Sequence, residues 1–414
     1  MTRPGPATEV QQALDKCVAC GACTAVCPVY RAERREAHSA RGKLAVLDGC
    51  ASGSLDPRAR LDQILASCLL CGRCQANCPN QTTSTDAIRA GRELAARLGG
   101  MSPLKRSALQ NALDSPAHLD QLARMGRAAL PLARPLARAA AGLSTGLGLR
   151  LGSAQLAASL PPLANRPFLA RAPREVPGPQ SGPRIAFFVG CVTNYLRPSL
   201  AATAVEMLSR IGTVLIPPGQ ACCALPALAA GLGRVGRNLA LANLAALESA
   251  RPDLVVTVCG SCAHTLAKEM PRQVGDGPSR RMGAKVKEIS QVLADHIDII
   301  DAYTPARRTA AVHDPCHLKV GLGVSEQPRQ VLSAAGVELA PMDGADECCG
   351  GGGLFALNRP DLSQAIFQPR AAAFARSGAE VLATSCSGCY LQWRQGLEPG
   401  QAVVHPIELI AGGA

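Results

Sequence analysis

The most restrictive feature of this chain is a cysteine ruler used twice. Cys17, Cys20, Cys23 and Cys27 lie in "CVACGACTAVCP", and the same spacing returns as Cys68, Cys71, Cys74 and Cys78 in "CLLCGRCQANCP". Three thiols at C-x-x-C-x-x-C ride on a tight, glycine-containing turn and curl around one face of a metal centre. The proline after each fourth cysteine is expected to draw the chain away from helix and to swing that thiol towards the other site. Gly21 and Gly72, lacking Cβ, let backbone N–H groups approach a negatively charged group closely. Zinc also suits paired C-x-x-C. A structural zinc, however, needs four ligands from two pairs and gives no reason for an evenly spaced third cysteine followed by Cys-Pro, so the spacing points to iron–sulfur chemistry.

The pattern resembles that of the bacterial two-cluster ferredoxins, in which the fourth cysteine of each run ligates the opposite cluster. The resemblance implies one [4Fe-4S] cluster on Cys17, Cys20, Cys23 and Cys78, and a second on Cys68, Cys71, Cys74 and Cys27. Between the runs, "HSARGKLAVLDGC" starts with turn-prone residues and continues as a helix. Arg41 and Lys43 read as an exposed helix start, with neutralisation of cluster charge as the alternative. Cys50 stands outside every ruler and reads as a buried structural thiol.

The chain has 414 residues, enough for two or three domains, and 19 cysteines. An odd cysteine count with no secretory start in "MTRPGPATEV" favours metal ligation over a disulfide framework. Arg and Pro interrupt every apolar stretch before it reaches a membrane-spanning length of about 18 residues. Aromatics make up 3% of the sequence, too few for base-stacking surfaces, so nucleic acid is not an expected partner. The net charge of +12 is uneven: residues 101–184 carry eleven Lys or Arg against three Asp or Glu, an excess of +8. That segment reads either as a solvated helical face or as a surface for anionic lipid or an acidic partner. The expected location is cytoplasmic, with peripheral contact at the inner face of the cytoplasmic membrane as the version the basic segment adds.

Residues 91–183 read as Ala/Leu/Arg-rich helices broken by Pro131, Pro135 and the pair at 161, ending in the proline-rich "RAPREVPGPQSGPR". The pattern then changes to apolar strand-like runs alternating with helices. "RIAFFVGC" delivers Cys191, "TVLIPP" precedes Cys222 and Cys223, and "LVVTVCGSC" delivers Cys259 and Cys262. Downstream, "TAAVHDPC" delivers Cys316, "VELAP" precedes Cys348 and Cys349, and "EVLATSCSGC" delivers Cys386 and Cys389. Corresponding cysteines are 125, 126 and 127 residues apart (316 − 191, 348 − 222, 386 − 259), which marks an internal duplication. Every group follows a strand end, the edge where open α/β sheets collect their ligands. Five thiols exceed the four that a zinc or a cubane requires, and so suit a more open cluster.

Cys, then Cys-Cys-Gly, then Cys-x-x-Cys resembles the cysteine-rich CCG domain of heterodisulfide reductase catalytic subunits. The same domain occurs in the iron–sulfur subunits of glycolate oxidase, respiratory lactate dehydrogenases and anaerobic glycerol-3-phosphate dehydrogenase. Two ferredoxin runs, a helical linker and two such domains look most like the glycolate oxidase iron–sulfur subunit, over nearly the whole chain. The resemblance implies non-cubane [4Fe-4S] clusters on Cys191, Cys222, Cys223, Cys259 and Cys262, and on Cys316, Cys348, Cys349, Cys386 and Cys389. Two departures stand out: Ala224 replaces the glycine of the first CCG, and both units keep all five cysteines, which leaves disulfide chemistry open.

The expected fold is multidomain, α/β and α+β. It comprises a helical two-cluster ferredoxin domain (1–95), a helical basic linker (96–183), and duplicated CCG units (184–305 and 306–414). The expected function is electron transfer in a flavin-dependent glycolate or lactate dehydrogenase, from an FAD-containing partner subunit to a quinone or an electron-transfer flavoprotein. Heterodisulfide reductase-like thiol–disulfide reduction is the alternative. "GLGRVG" (231–236) formally matches a dinucleotide motif, but no strand runs into it, and it reads as a loop and helix start. Gly350–Gly353 read as backbone packed near cluster sulfur. His313 and His317, flanking Cys316, read as strand-end caps, with iron ligation or proton relay as alternatives. Tyr390 and Trp393 read as core.

Overall fold

A computed structural model describes residues 5–57, 60–113, 115–147, 161–398 and 400–413. Its N-terminal part is helical. Helices Pro6–Leu14, Ala40–Ala51, Leu61–Ala66 and Ser84–Arg97 close around Val10, Leu44, Leu47, Leu65 and Ile88. Ser39 caps the second of these, its side chain accepting from the Gly42 amide at 3.0 Å. Two short helices, Ala22–Ala25 and Arg73–Ala76, follow the two cysteine turns. Pro28 departs from expectation. It is the first residue of helix Pro28–Glu33 rather than a helix breaker, because its fixed φ suits that position and its missing N–H is not needed there.

The linker segment holds helices Pro103–Leu113 and Pro116–Leu147. The second runs through both Pro131 and Pro135, where the sequence reading expected breaks. Spaced four apart, the two prolines fall on one helix face, and a long Ala/Leu/Arg-rich stretch tolerates the lost hydrogen bonds there.

Eight strands follow among the described residues: β1 (Glu175–Val176), β2 (Arg184–Phe187), β3 (Thr213–Leu215), β4 (Leu254–Thr257), β5 (Val286–Glu288), β6 (Ala310–His313), β7 (Val381–Thr384) and β8 (Ala402–Val404). The first sheet has the order β1-β3-β2-β4-β5, parallel except for β1 at its edge. The second has β6-β7-β8, all parallel, with a parallel bridge from Leu339 to Ala310 in the place that β3 occupies in the first. The duplication seen in the cysteines is therefore a duplication of topology, in which "VELAP" contributes only a bridge. Strands β1, β5 and β8 are too short to have carried a readable alternation.

The two units pack as a pseudo-symmetric pair. Helix Pro198–Ser209 of the first rests on Pro406–Ile410 of the second, and its counterpart Glu326–Ala334 rests on Ile289–Asp295. One apolar layer is shared, with Ile185, Phe187 and Val256 from one sheet and Val312, Val381 and Ala383 from the other. Glu288 and His405, which cap the two inner helices, meet at 3.4 Å within it.

The ferredoxin domain docks on both units. Arg89 pairs with Glu269, and Arg272 with Glu9 (3.0 Å) and Asp86, against the first unit. Arg73–Asp346 (2.9 Å), Arg31–Glu347 (2.6 Å) and Glu33–Arg359 (3.3 Å) hold it to the second.

Candidate metal centres

The two ferredoxin turns have one conformation. Ala19 (φ 54°) and Gly21 (φ 85°) match Leu70 (φ 54°) and Gly72 (φ 78°), so each C-x-x-C-x-x-C alternates into the left-handed region and curls on itself. One small cavity is lined by Cys17, Cys20, Cys23 and Cys78, with Arg41 and Leu44. The other is lined by Cys27, Cys68, Cys71 and Cys74, with Lys43 and Ile88. Each thus draws three thiols from one run and one from the other. Backbone amides already point at sulfur: Tyr30 N–H donates to Cys27 Sγ (3.5 Å), Leu70 to Cys68 (3.4 Å) and Thr82 to Cys78 (3.4 Å). Such donors suit an anionic group, so the residues fit an iron–sulfur cluster.

Burial pushes the Cys74 thiol up to about 12, with Cys68 adding to the effect. Lys43 was read as part of an exposed helix start, yet it is 1% exposed. Its ammonium donates to the His38 carbonyl beside Cys68 and Cys27. Burial lowers its pKa, which those thiols oppose. Arg41 does lie at the helix start, donating to Glu36 (2.7 Å) and the Ala19 carbonyl (3.1 Å). Cys50 is half-buried.

In the α/β units the cysteine groups follow the ends of parallel strands, except Cys348 and Cys349, which follow the Leu339 bridge. Gly190 (φ 75°) turns the chain after β2 so that Cys191 opens a helix, and Cys259 and Cys386 are the N-caps of the helices after β4 and β7. The first unit's thiols form a continuous contact series: Cys191, Cys222, Cys223, Cys262 and Cys259. In the second, Cys316 touches Cys348, while Cys349, Cys389 and Cys386 form a series. Ala224 (φ 81°) adopts the conformation of Gly350 (φ 82°), so the alanine has kept the turn at the cost of a left-handed backbone.

Two junctions join these sets. Cys259 and Cys386, equivalent residues of the duplicated units, are in contact, and the Ser387 amide donates to Cys259 Sγ (3.4 Å). Cys71 of the second ferredoxin run shares one buried cluster with Cys348, and Cys316 packs against that cluster. Sequence spacing could reveal neither, since both depend on packing between domains.

The histidines behave differently from one another. His317 Nε2 faces the Leu70 carbonyl (3.3 Å), which can only accept, so Nε2 carries the proton and Nδ1 accepts from Ser261 Oγ (3.0 Å). Ser261 Oγ is also 3.1 Å from Cys386 Sγ. His264 stacks on His317 at 4.9 Å, and burial, with help from His317, pulls its pKa down to about 3. Neither His264 nor Ser261 was singled out in the sequence, although Ser261 lies inside a C-x-x-C. His313 ends β6, buried beside Cys349 and Cys389. Trp393 and Tyr390 are core, as expected.

"GLGRVG" begins helix Gly233–Ser249, and its glycines serve packing. A Cβ on Gly231 would meet the Arg92 carbonyl, one on Gly233 the Glu93 carboxylate, and one on Gly236 Leu228. In "CCGGGG", a Cβ on Gly350 would meet the Ser363 carbonyl, and one on Gly352 would meet Leu69 of the ferredoxin domain. A cleft of about 670 Å³ opens where the domains meet, with Glu33, His38, Cys68, Arg92, Phe355 and Arg359 among its walls. Among the described residues no helix is long and apolar enough to cross a membrane.

A two-cluster ferredoxin domain joined to a duplicated pair of α/β cysteine-rich units defines an iron–sulfur electron-transfer class. The 4Fe-4S dicluster domain model matches residues 13–82, and the cysteine-rich CCG domain model matches 185–267 and 310–394. The chain belongs to the iron–sulfur subunit family that includes the glycolate oxidase iron–sulfur subunit and lactate utilization protein A. It is 29% identical to a probable glycolate oxidase iron–sulfur subunit of Bacillus subtilis, over 92% of this chain and 88% of that one. It is 30% identical to lactate utilization protein A of Bacillus velezensis, over 50% of this chain and 89% of that one. It is also 32% identical to one of the subunits of the dihydromethanophenazine:CoB–CoM heterodisulfide reductase of Methanosarcina barkeri, over 55% of this chain and 58% of that one.

Proposed function

We propose that this chain is the electron-transfer subunit of a flavin-dependent glycolate or lactate dehydrogenase. It receives electrons from an FAD-containing partner and delivers them to a quinone or an electron-transfer flavoprotein. Its clusters supply one-electron steps. In this reading Cys17, Cys20, Cys23 and Cys78 hold one [4Fe-4S] cluster, and Cys27, Cys68, Cys71 and Cys74 hold another. Cys191, Cys222, Cys223, Cys259 and Cys262, and Cys316, Cys348, Cys349, Cys386 and Cys389, hold those of the CCG units. The carrying observation is the succession of thiol contacts. Cys71 shares a buried cluster with Cys348 and Cys316, and Cys386 lies against Cys259, so the thiols of the second CCG unit link those of the ferredoxin domain to those of the first. Lys43 and the amide donors of Tyr30, Leu70 and Thr82 offset negative charge, and the cleft reaching Cys68 gives a small carrier a place to approach. The basic linker supports a peripheral position on the inner face of the cytoplasmic membrane, released by salt.

The test is an assay of the purified chain with an artificial acceptor. The expected result is no oxidation of glycolate or lactate until an FAD subunit encoded beside it is added. Robust hydroxyacid oxidation by this chain alone would refute the assignment.

A second reading, thiol–disulfide reduction as in heterodisulfide reductases, is favoured by the retention of all ten CCG cysteines and by the meeting of Cys259 with Cys386. It predicts an electron paramagnetic resonance signal that changes on adding a disulfide or thiol. An unchanged spectrum would leave the first reading alone.

A further inference from the structure

The duplication supplies an internal control for one buried side chain. Counting back from Cys316 and from Cys191, His313 occupies the position of Phe188 in the first unit (313 − 188 = 125). Phe188 is fully buried in an apolar cluster. His313 is equally enclosed, at 1% exposure, yet the only group its ring nitrogens meet is the Cys349 thiol, which leaves at least one of them without a partner among the described residues. A buried imidazole left that way is costly unless something else uses its lone pair. One nitrogen faces the thiols of Cys349 and Cys389, and the three donor atoms lie within 4.8 Å of one another. An ion bonding thiolate at about 2.3 Å and imidazole at about 2.0–2.1 Å spaces its donors roughly 3.5–4 Å apart, so a closure of about 1 Å suffices. The ring's orientation is set from outside the site: the Trp393 indole packs edge-on against it at 5.6 Å, itself wedged between Phe367 and Phe374.

From this geometry we propose that His313 is a nitrogen donor to the metal site of the second CCG unit. With Cys349 and Cys389 it gives that unit a mixed Cys/His set that the first unit, with Phe188, lacks. Imidazole together with thiolate suits iron or zinc among the divalent and cluster metals. The two CCG units are then chemically distinct: one offers sulfur donors only, the other adds a neutral nitrogen donor to its five thiols. The inference rests on the metal-site reading of the CCG units and goes beyond it by naming a donor outside the ten cysteines.

The experiment uses the full-length chain carrying ¹⁵N-histidine, reconstituted anaerobically with iron and sulfide and reduced. Pulsed electron paramagnetic resonance should show a histidine nitrogen coupling on one signal. His313→Phe, which copies the first unit, should abolish it, while His317→Phe should retain it. In parallel, the metal-free chain is titrated with Co²⁺ and followed by thiolate charge-transfer absorption. His313→Phe should weaken one site by more than tenfold, as Cys349→Ser should. Unchanged coupling and unchanged cobalt affinity in His313→Phe would overturn the proposal. So would ferredoxin signals with no metal taken up by the second CCG unit, an outcome that leaves the ferredoxin relay standing. Failure of the hydroxyacid assay would overturn the dehydrogenase reading without touching the nitrogen coupling.

Discussion

Arg92 offers the sharpest test of how the second ferredoxin run is held. It projects from helix Ser84–Arg97, and its guanidinium donates twice to the Leu65 carbonyl (3.0 and 2.7 Å), once to the Cys68 carbonyl (2.5 Å) and once to the Ala229 carbonyl (2.8 Å). Leu65 lies in the last turn of helix Leu61–Ala66, where the Ser67 amide serves the Gln63 and Ile64 carbonyls and the Arg92 cation serves that of Leu65, satisfying both hydrogen bonding and the helix dipole. Burial lowers the Arg92 pKa, opposed by the Cys68 thiol. Replacing it with methionine preserves stem volume and helix propensity, so the loss isolates the hydrogen bonds. Charge-assisted bonds contribute about 1.5–3 kcal/mol each in isolation. Four from one partly buried fork, with carbonyls that regain some water, sum to roughly 3 kcal/mol. That is about two decades in a local opening equilibrium. Hydrogen exchange in the Cys68–Cys74 loop of Arg92→Met should therefore quicken by about 100-fold, while the Cys17–Cys23 loop stays nearly unchanged. A change below about threefold in the Cys68–Cys74 loop would show that the guanidinium does not anchor it.

Three further outcomes are expected. Gly350→Ala forces a side chain into φ 82° with its Cβ 2.5 Å from the Ser363 carbonyl, and should destabilise the protein by about 2 kcal/mol or more in chemical denaturation. The mirror change, Ala224→Gly, relieves about 1 kcal/mol of left-handed strain but loses about 0.8 kcal/mol of methyl burial, so stability should stay within about 1 kcal/mol. Domain docking should also weaken in acid. Burial alone would raise the pKa values of Glu33 and Asp346, yet His38 and Arg359 hold the first below its ordinary 4.5, and Arg73 and Lys319 hold the second below its ordinary 3.8. Carboxyls lowered in this way contribute stability that is complete above those ordinary values and is lost as pH falls through the lowered ones. Limited proteolysis between pH 6 and 3 should show the ferredoxin domain loosening at the acid end, with a shallower pH dependence in Glu33→Gln. An identical profile in that variant would mean the pair does not couple docking to pH.

Much of the metal chemistry was legible in the sequence because it is local. Three thiols three positions apart can share one turn whatever surrounds them, and a cysteine that follows an apolar run lands at a strand end. Gly21 and Gly72 read as places where backbone can come close to a cluster, and both sit in left-handed turns that bring it there. Other features resisted reading because the signal was ambiguous. Pro28 could break a helix or begin one, and the chain entering it from Cys27 decides for the second. Lys43 has the composition of a surface residue, and only the closure of helices over the second cysteine turn buries it. A five-residue match such as "VELAP" carries too little alternation to separate a strand from a single bridge.

The amino-acid order by itself determined the two cysteine rulers, the duplicated five-thiol series and the α/β alternation that carries it, since each arises from spacing over a few turns of chain. Tertiary structure alone decided that Cys71 shares a buried cluster with Cys348, that Cys259 meets its own duplicate Cys386, and that His313 faces Cys349 and Cys389 where the first unit has phenylalanine. It also turned the glycines of a nucleotide-like motif into contact points for Arg92 and Glu93. The physical reason is range. Ligand spacing is set by covalent geometry along the chain, whereas the meeting of residues hundreds of positions apart is set by which apolar faces exclude water together.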